Sequence, residues 1–212
     1  MNARELFRNA YENRYTWDRN FPGYTTEATF RHGDKMTKAK ARVNPDLSVD
    51  VLEADDEDTE KAIASQLQEV AIHRIRRTFE ETHAKNEFEI GETDDTGAVE
   101  IHVGGKSSGN RYKVRDNEVC HVHRHIHGIV VTIDTFSSHD TGEGYLSHRY
   151  SSIYRDPKTG EIKSPYSEFE DNYTKVGDYF ILTSRTISTE GEPDTEFGFD
   201  RVELLQPAAV GA

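Results

Sequence analysis

The chain has 212 residues, enough for one domain with a substantial core. Its 39 acidic residues outnumber 26 lysines and arginines, for a net charge of −13. A nucleic-acid backbone would repel such a chain on average, and no apolar run is long enough for a transmembrane segment. The single cysteine, Cys120, excludes an internal disulfide. The opening MNARELFRNAYENRY lacks the apolar stretch of a secretory signal, so the expected compartment is the cytoplasm. Residues 2–14 suit a short amphipathic helix, with Leu6, Phe7, Ala10 and Tyr11 on one side. Pro22–Gly23 marks a turn, after which Tyr24, Thr26, Ala28 and Phe30 alternate as in a half-buried strand. Lys35–Val43 and Leu47–Leu52 complete a three-strand meander, with turns at Gly33 and at Asn44–Asp46.

The acidic run Glu53–Asp58 suits a helix start, because carboxylates are favoured near free N–H groups. The spacing of Ile63, Leu67, Ala71, Ile75 and Phe79 predicts one helix from about Thr59 to His83. Arg74, Arg76 and Arg77 fall outside that stripe, on a solvated back where Glu69, Glu80 and Glu81 are available as partners. From Asn86 onward the chain reads as nearly continuous antiparallel sheet. GGKSSGN, at 104–110, is an ordinary loop, since it lacks the order of a phosphate loop. Asp156–Gly160 is a strong turn, and Glu161–Glu170 is expected to break near Pro165. About ten strands, one short helix and one long helix, without βαβ alternation, predict a mainly β (α+β) fold. Its centre is a large curled antiparallel sheet with the long helix packed on the concave face and a short N-terminal helix. Residues 1–205 form one domain in this reading, and 206–212 a disordered tail.

The stretch Asn117–Phe136, NEVCHVHRHIHGIVVTIDTF, reads as one long central strand. His121, His123, His125 and His127 share one parity, so a strand puts all four imidazoles on one face. Ile129, Val131 and Ile133 share that parity as well. A regular strand would send the imidazoles to the core side. A bulge at Gly128 would send them to water, and sequence leaves both open.

The second half, GEGYLSHRYSSIYRDPKTGEI with FEDNYTKVGDYFILTSRTI and FGFDRVELL, resembles the cyanobacterial and plastid family of unknown function numbered 3386. The early FPGY segment is consistent with it. The matching positions are Trp17, Phe21, Gly23, Gly144, Tyr145, Tyr154 and the Gly177–Asp178–Tyr179 turn. The resemblance implies a lipoprotein-carrier type of fold, a half-barrel of antiparallel strands around helices whose concavity holds acyl chains. It implies no catalytic residue, and it assigns no role to the histidines.

The histidines suit a divalent transition metal such as zinc, nickel or copper, or a haem iron, with His102 or His148 on neighbouring strands to complete a set. A solvated stripe is the plainer reading, since no compact metal motif is present. Cys120 reads as an inert thiol, and no serine-nucleophile elbow occurs. Glu143 and the group Glu168, Glu170 and Asp171 are the carboxylates placed for acid/base work. Tyrosine lines amphipathic cavities well, having an apolar body and a polar tip. Trp17, Tyr145, Tyr150, Tyr154, Tyr173 and Tyr179 are therefore the candidate ligand contacts. The first functional expectation is a non-enzymatic binding or carrier protein for a hydrophobic or amphipathic small molecule. The alternatives are a metal- or tetrapyrrole-binding protein using the histidines, and an assembly factor acting through a protein partner.

Overall fold

A computed structural model describes residues 2–206. Most of the tail expected over 206–212 lies outside the described residues. In chain order the elements are helix α1 (Ala3–Glu12), strands β1 (Tyr24–His32), β2 (Lys35–Val43) and β3 (Val49–Ala54), and helices α2 (Glu57–Arg74) and α3 (Phe79–His83). Strands β4 (Asn86–Thr93), β5 (Val99–Gly105), β6 (Arg111–Arg115), β7 (Glu118–Ile126) and β8 (Ile129–Asp140) follow. The last four are β9 (Tyr145–Arg155), β10 (Ile162–Val176), β11 (Tyr179–Thr189) and β12 (Thr195–Leu204). The mostly-β, antiparallel class expected from the sequence is the one observed. Hydrogen bonds link the 12 strands into one open sheet in the order β3-β2-β1-β12-β11-β10-β9-β8-β7-β6-β5-β4. By their packing the described residues gather into two compact units, one of 2–15 with 77–169, the other of 16–76 with 170–206.

In the first unit α1 is built as its sequence suggests. Asn2 caps it and Glu5 returns the bond in a capping box. Its buried face, Ala3, Phe7, Ala10 and Tyr11, packs with Phe79 of α3 and with Ile101, Val103, Tyr112 and Val114 of the sheet. Phe7 is 1% exposed, and its ring lies 4.4 Å from Tyr112, 5.4 Å from Phe88 and 5.9 Å from Phe79. Gly144 lets the chain leaving α1 lie directly on the start of β9. Tyr145 N–H donates to the Asn13 carbonyl at 3.0 Å, and Tyr15 N–H donates to the Tyr145 carbonyl at 2.9 Å. A Cβ at Gly144 would collide with that Asn13 carbonyl, and its φ of 135° is itself a glycine conformation.

In the second unit α2 packs on β1, β2 and β3 through Thr59, Ile63, Leu67, Val70 and Ala71. Asp56 caps it, with Glu57, Asp58 and Glu60 in the first turn. The Lys35 ammonium and the Thr59 hydroxyl hold the Asp56 carboxyl well below the usual carboxylate range.

Three expectations need correction. The single helix over 59–83 is two. Ile75 leaves helical geometry at φ −61°, ψ 124° and forms a parallel bridge with Trp17. The Arg74 carbonyl accepts from Trp17 N–H at 2.9 Å, and Thr78 then caps α3 in a second capping box. Apolar spacing continued across the break because Phe79 fills the first unit's core rather than extending the α2 stripe. The strand over 117–136 is a hairpin, turned at His127 and Gly128, whose φ values are 48° and 82°. Pro165 does not break its strand, since β10 runs through it for 15 residues.

Replacing Phe7 by alanine is expected to cost about 3–5 kcal/mol, since the ring is fully enclosed by aromatic neighbours. Urea unfolding read by far-UV circular dichroism measures it. His83 supplies a pH test. Its ring sits 5.2 Å from Phe7 and 4.9 Å from Tyr11, and its Nδ1 lies 2.9 Å from Asn86 Nδ2. Burial first, then the Arg124, Arg14 and Arg4 cations, pushes its pKa from 6.5 down to about 4. The unfolded chain therefore takes up this proton first. The stabilisation is complete above pH 6.5 and is lost as pH falls through about 4. Over that window the urea midpoint of the native protein should drop further than that of His83→Gln.

Candidate functional site

The β7–β8 hairpin decides which side chains meet. Residues paired across strands share a face, so Tyr112, Val122, Ile133 and Ser152 form one row across β6 to β9. Tyr112 and Val122 pack with the α1 core, which identifies this as the helix side. The next row, Arg124, Val131 and Tyr154, lies on the same side, as does the pair Thr135 and Tyr150. Tyr150 stacks on Phe169 at 4.8 Å with planes 3° apart. Val131 is buried, while Ile133, Tyr150 and Tyr154 are half-buried, and α1 packs on β4, β6 and β7. The result is a half-buried strip of aliphatic and tyrosine side chains with the exposed Arg124 beside it.

The histidines lie on the opposite face. His121 pairs with Asp134, His123 with Thr132 and His125 with Val130. Neither alternative considered for Gly128 is realised, because the residue belongs to a turn. That turn reverses the parity, so odd-numbered β8 residues face the helix side while odd-numbered β7 residues face away. His127 sits in the turn and so leaves the stripe. His121 Nδ1 lies 2.6 Å from Asp134 Oδ1, and His123 Nδ1 lies 3.1 Å from Thr132 Oγ1. The His123 and His125 rings are 5.8 Å apart. His102 approaches Glu100, and the His148 ring lies 4.3 Å from His139, so neither completes the stripe as a ligand set. Among the described residues no group of three or more histidine, cysteine or acidic side chains converges to hold a metal. Cys120 is the extra residue of a bulge in β7, between His121 opposite Lys113 and Val119 opposite Val114. Burial pushes its thiol up, as expected of an inert cysteine.

The six aromatic candidates separate into two groups of three. In the first unit Tyr150 and Tyr154 belong to the strip. Tyr145 is buried, its oxygen accepts from Val119 N–H at 3.1 Å, and burial pushes its pKa up to about 12. In the second unit Trp17 is buried, stacks on Phe21 at 4.0 Å and donates from Nε1 to the Phe180 carbonyl. Tyr179 meets the Phe21 edge at 5.1 Å and donates to Asp18 at 3.0 Å. Tyr173 belongs to a buried charged network absent from the sequence reading.

That network joins β10, β11 and α2. Arg185 grips Asp171 with two parallel bonds, Nε to Oδ1 at 2.8 Å and Nη2 to Oδ2 at 2.7 Å. Both side chains are nearly inaccessible, at 3% and 2%. Arg185 Nη1 also donates to Gln66 at 2.8 Å and to Glu69 at 3.3 Å. The Tyr173 hydroxyl donates to Asp171 Oδ2 at 3.2 Å and accepts from Arg74 Nη2 at 3.1 Å. Burial pushes the Tyr173 pKa up to about 12, against the lowering influence of Arg74. Asp171 is thus a structural carboxylate, not half of an acid/base pair. The expected pairing of Arg74, Arg76 and Arg77 with nearby helix acids is corrected in part: Glu69 serves Arg185, and Glu80 serves Arg4 and Arg8. Parity was the available signal. Arg185 shares its strand face with Ile181, and Asp171 shares its face with Tyr173, which places two opposite charges inward.

These observations define a mostly-β protein built on one antiparallel sheet, with a half-buried strip on the helix side of one unit and a buried charged network in the other. The chain belongs to the DUF3386 family of proteins of unknown function, whose pattern it matches over residues 1–205. No curated protein matches it. Among solved structures it is similar to a Vibrio parahaemolyticus domain described as an outer membrane lipoprotein-sorting protein, at 8% identity, covering 96% of this chain and 92% of that one, with a TM-score of 0.42. It is also similar to a LolA-superfamily protein from Nitrosomonas europaea, at 5% identity, 98% and 95% coverage and a TM-score of 0.36. A DUF1329-family protein from Desulfovibrio piger matches at 9% identity, 99% and 92% coverage and a TM-score of 0.29.

Removing one member of the buried ion pair tests its weight. Asp171→Asn takes the doubly bonded counter-charge from buried Arg185, leaving only the part-exposed Glu69 at 3.3 Å, and is expected to destabilise by about 3–5 kcal/mol. The paired replacement Asp171→Leu with Arg185→Met should cost less than either single change, as measured by denaturant unfolding.

Proposed function

We propose that this protein is a non-enzymatic binding protein, a carrier of a molecule with a hydrophobic body and a polar end. The observation that carries the reading is the strip formed by Val131, Ile133, Tyr150 and Tyr154 on the helix side of β8 and β9. Apolar side chains on the inner face of a sheet are normally sealed by the packing opposite them, and here three of the four are half-buried. Tyrosine offers such a ligand a flat apolar surface and a hydroxyl at its rim. Arg124, in one row with Val131 and Tyr154, adds a cation at the edge. No helix among the described residues is long and apolar enough to cross a membrane.

Titration with a fluorescent fatty acid, dansyl-undecanoate, tests the reading. The native protein should enhance its emission saturably. Tyr154→Ser and Ile133→Asp should each weaken binding about tenfold, equivalent to about 1.4 kcal/mol, with far-UV circular dichroism unchanged. Equal uptake by the native protein and both folded variants would sink the strip as the site. Absence of saturable uptake by the native protein would sink the carrier reading itself.

A further inference from the structure

We propose that Arg74 forms an oxyanion-binding site in the second unit, taking a carboxylate or a phosphate monoester against its guanidinium beside Tyr173. The site stands on different residues from the strip and does not depend on it. Arg74 is the last residue of α2, and its position is fixed from both sides. Its carbonyl accepts from Trp17 N–H, and its Nη2 donates to the Tyr173 hydroxyl. Its guanidinium carbon lies 5.5 Å from the Tyr173 ring centre.

Every other charge in this cluster already has a partner. Asp171 is held by both prongs of Arg185, and Glu69 by the remaining nitrogen of Arg185. The Tyr173 hydroxyl spends its one hydrogen on Asp171, so toward Arg74 it offers only a neutral acceptor. Arg74 makes no ion pair among the described residues, and its Nε is buried with no acceptor. A buried donor left without an acceptor is costly, on the order of 1–3 kcal/mol for a neutral group and more for a charged one. The helix C-terminal dipole accounts for a cation at this position. It does not satisfy Nε, which is buried and has no acceptor. A guanidinium presents adjacent N–H groups in a rigid fork matched to two oxygens of one oxyanion, and an anion placed there would satisfy Nε and balance the charge together. Burial raises the pKa of Tyr24, and the Arg74 charge opposes that rise, so the cation lies within reach of this buried ring.

The Nε–H proton of Arg74 reports the site directly. In nitrogen–proton spectra of the full chain it is assigned by its disappearance in Arg74→Lys. Acetate, inorganic phosphate and decanoate are then titrated separately into the native protein. The proposal expects a saturable shift of that resonance with at least one of them. Arg74→Gln should weaken binding of the same probe at least tenfold, and the control Arg76→Gln should leave it unchanged. Decanoate saturating at least tenfold below acetate identifies an amphiphile headgroup as the ligand, and equal saturation identifies a free anion. Both results support the site. No shift with any probe at millimolar concentration, or Nε–H exchange with solvent as fast as in free arginine, overturns it. Because the readout is on the native protein, loss of folding in Arg74→Gln does not blunt the test.

Discussion

The two-residue turn at His127 and Gly128 governs what the first unit offers to its surroundings. Both residues have positive φ, so the turn twists in the sense that antiparallel strands require. It pairs Ile126 with Ile129 and thereby fixes every later pair of β7 and β8. Side chains alternate faces along a strand, so a slip of one residue would exchange the two faces of β8. Asp134 and Thr132 would join Val122 beside the α1 core, and Ile133 and Val131 would join the histidines. Burial of Val131 and of the α1 cluster opposes that slip, and the turn geometry opposes it independently. The histidine face and the half-buried strip are two consequences of one local constraint.

The two units solve the problem of a sheet's inner face differently. In the first, aromatic rings do most of the work: Phe7, Tyr11, Phe79 and Tyr112 interlock at separations of about 4–6 Å, as edge-on or tilted pairs. In the second, Arg185 sits in the row Phe197, Phe30 and Thr37, the row that reaches Thr59 of α2. An arginine there commits the unit to a carboxylate partner, supplied by Asp171. Hydrophobic residues of similar volume are often as stabilising as such a pair or more so. Its geometric demand is the distinguishing feature. Two parallel bonds to Asp171 and further bonds to Gln66 and Glu69 allow few relative positions of β10, β11 and α2.

Much of this architecture was legible in the sequence. The meander of β1 to β3, the capped start of α2, α1 and the run of later strands all follow from alternation, helical spacing and turn residues. Two failures share a cause. Apolar spacing cannot see a chain changing partners, so Phe79 looked like the next turn of α2. Isoleucine and valine on both sides of Gly128 looked like one strand rather than two paired ones. For the sites, the tyrosines of the strip were named from composition, and Tyr154 also from the family pattern. Val131 and Ile133 were left unassigned with the register. Arg74 was placed on a solvated face because helical position alone does not say where a long side chain ends. Its environment is made by Tyr173 and Trp17, which reach it from distant parts of the chain.

The net charge of −13 constrains what any anion site here can be. At long range the chain repels anions, and salt damps that repulsion within about 8–10 Å. Steering from solution therefore cannot bring a carboxylate or phosphate to this surface. Recognition must come from short contacts to cations that lack their own carboxylates. Arg14, Arg74 and Arg124 are three of the described cations that make no ion pair, and Arg14 instead stacks its guanidinium 3.8 Å above Tyr11. Of the three, Arg74 alone has a buried nitrogen with no acceptor. Selectivity would follow from the same arithmetic. A small, well-hydrated anion gains only the local contact and still meets the repulsion of the whole chain. An anion carrying an apolar body adds burial worth about 0.8 kcal/mol per methylene, and a few such groups outweigh a screened repulsion. In the proposed site, a sheltered, unpaired arginine on an acidic chain would therefore favour an anion by its apolar part, with the cation setting its orientation.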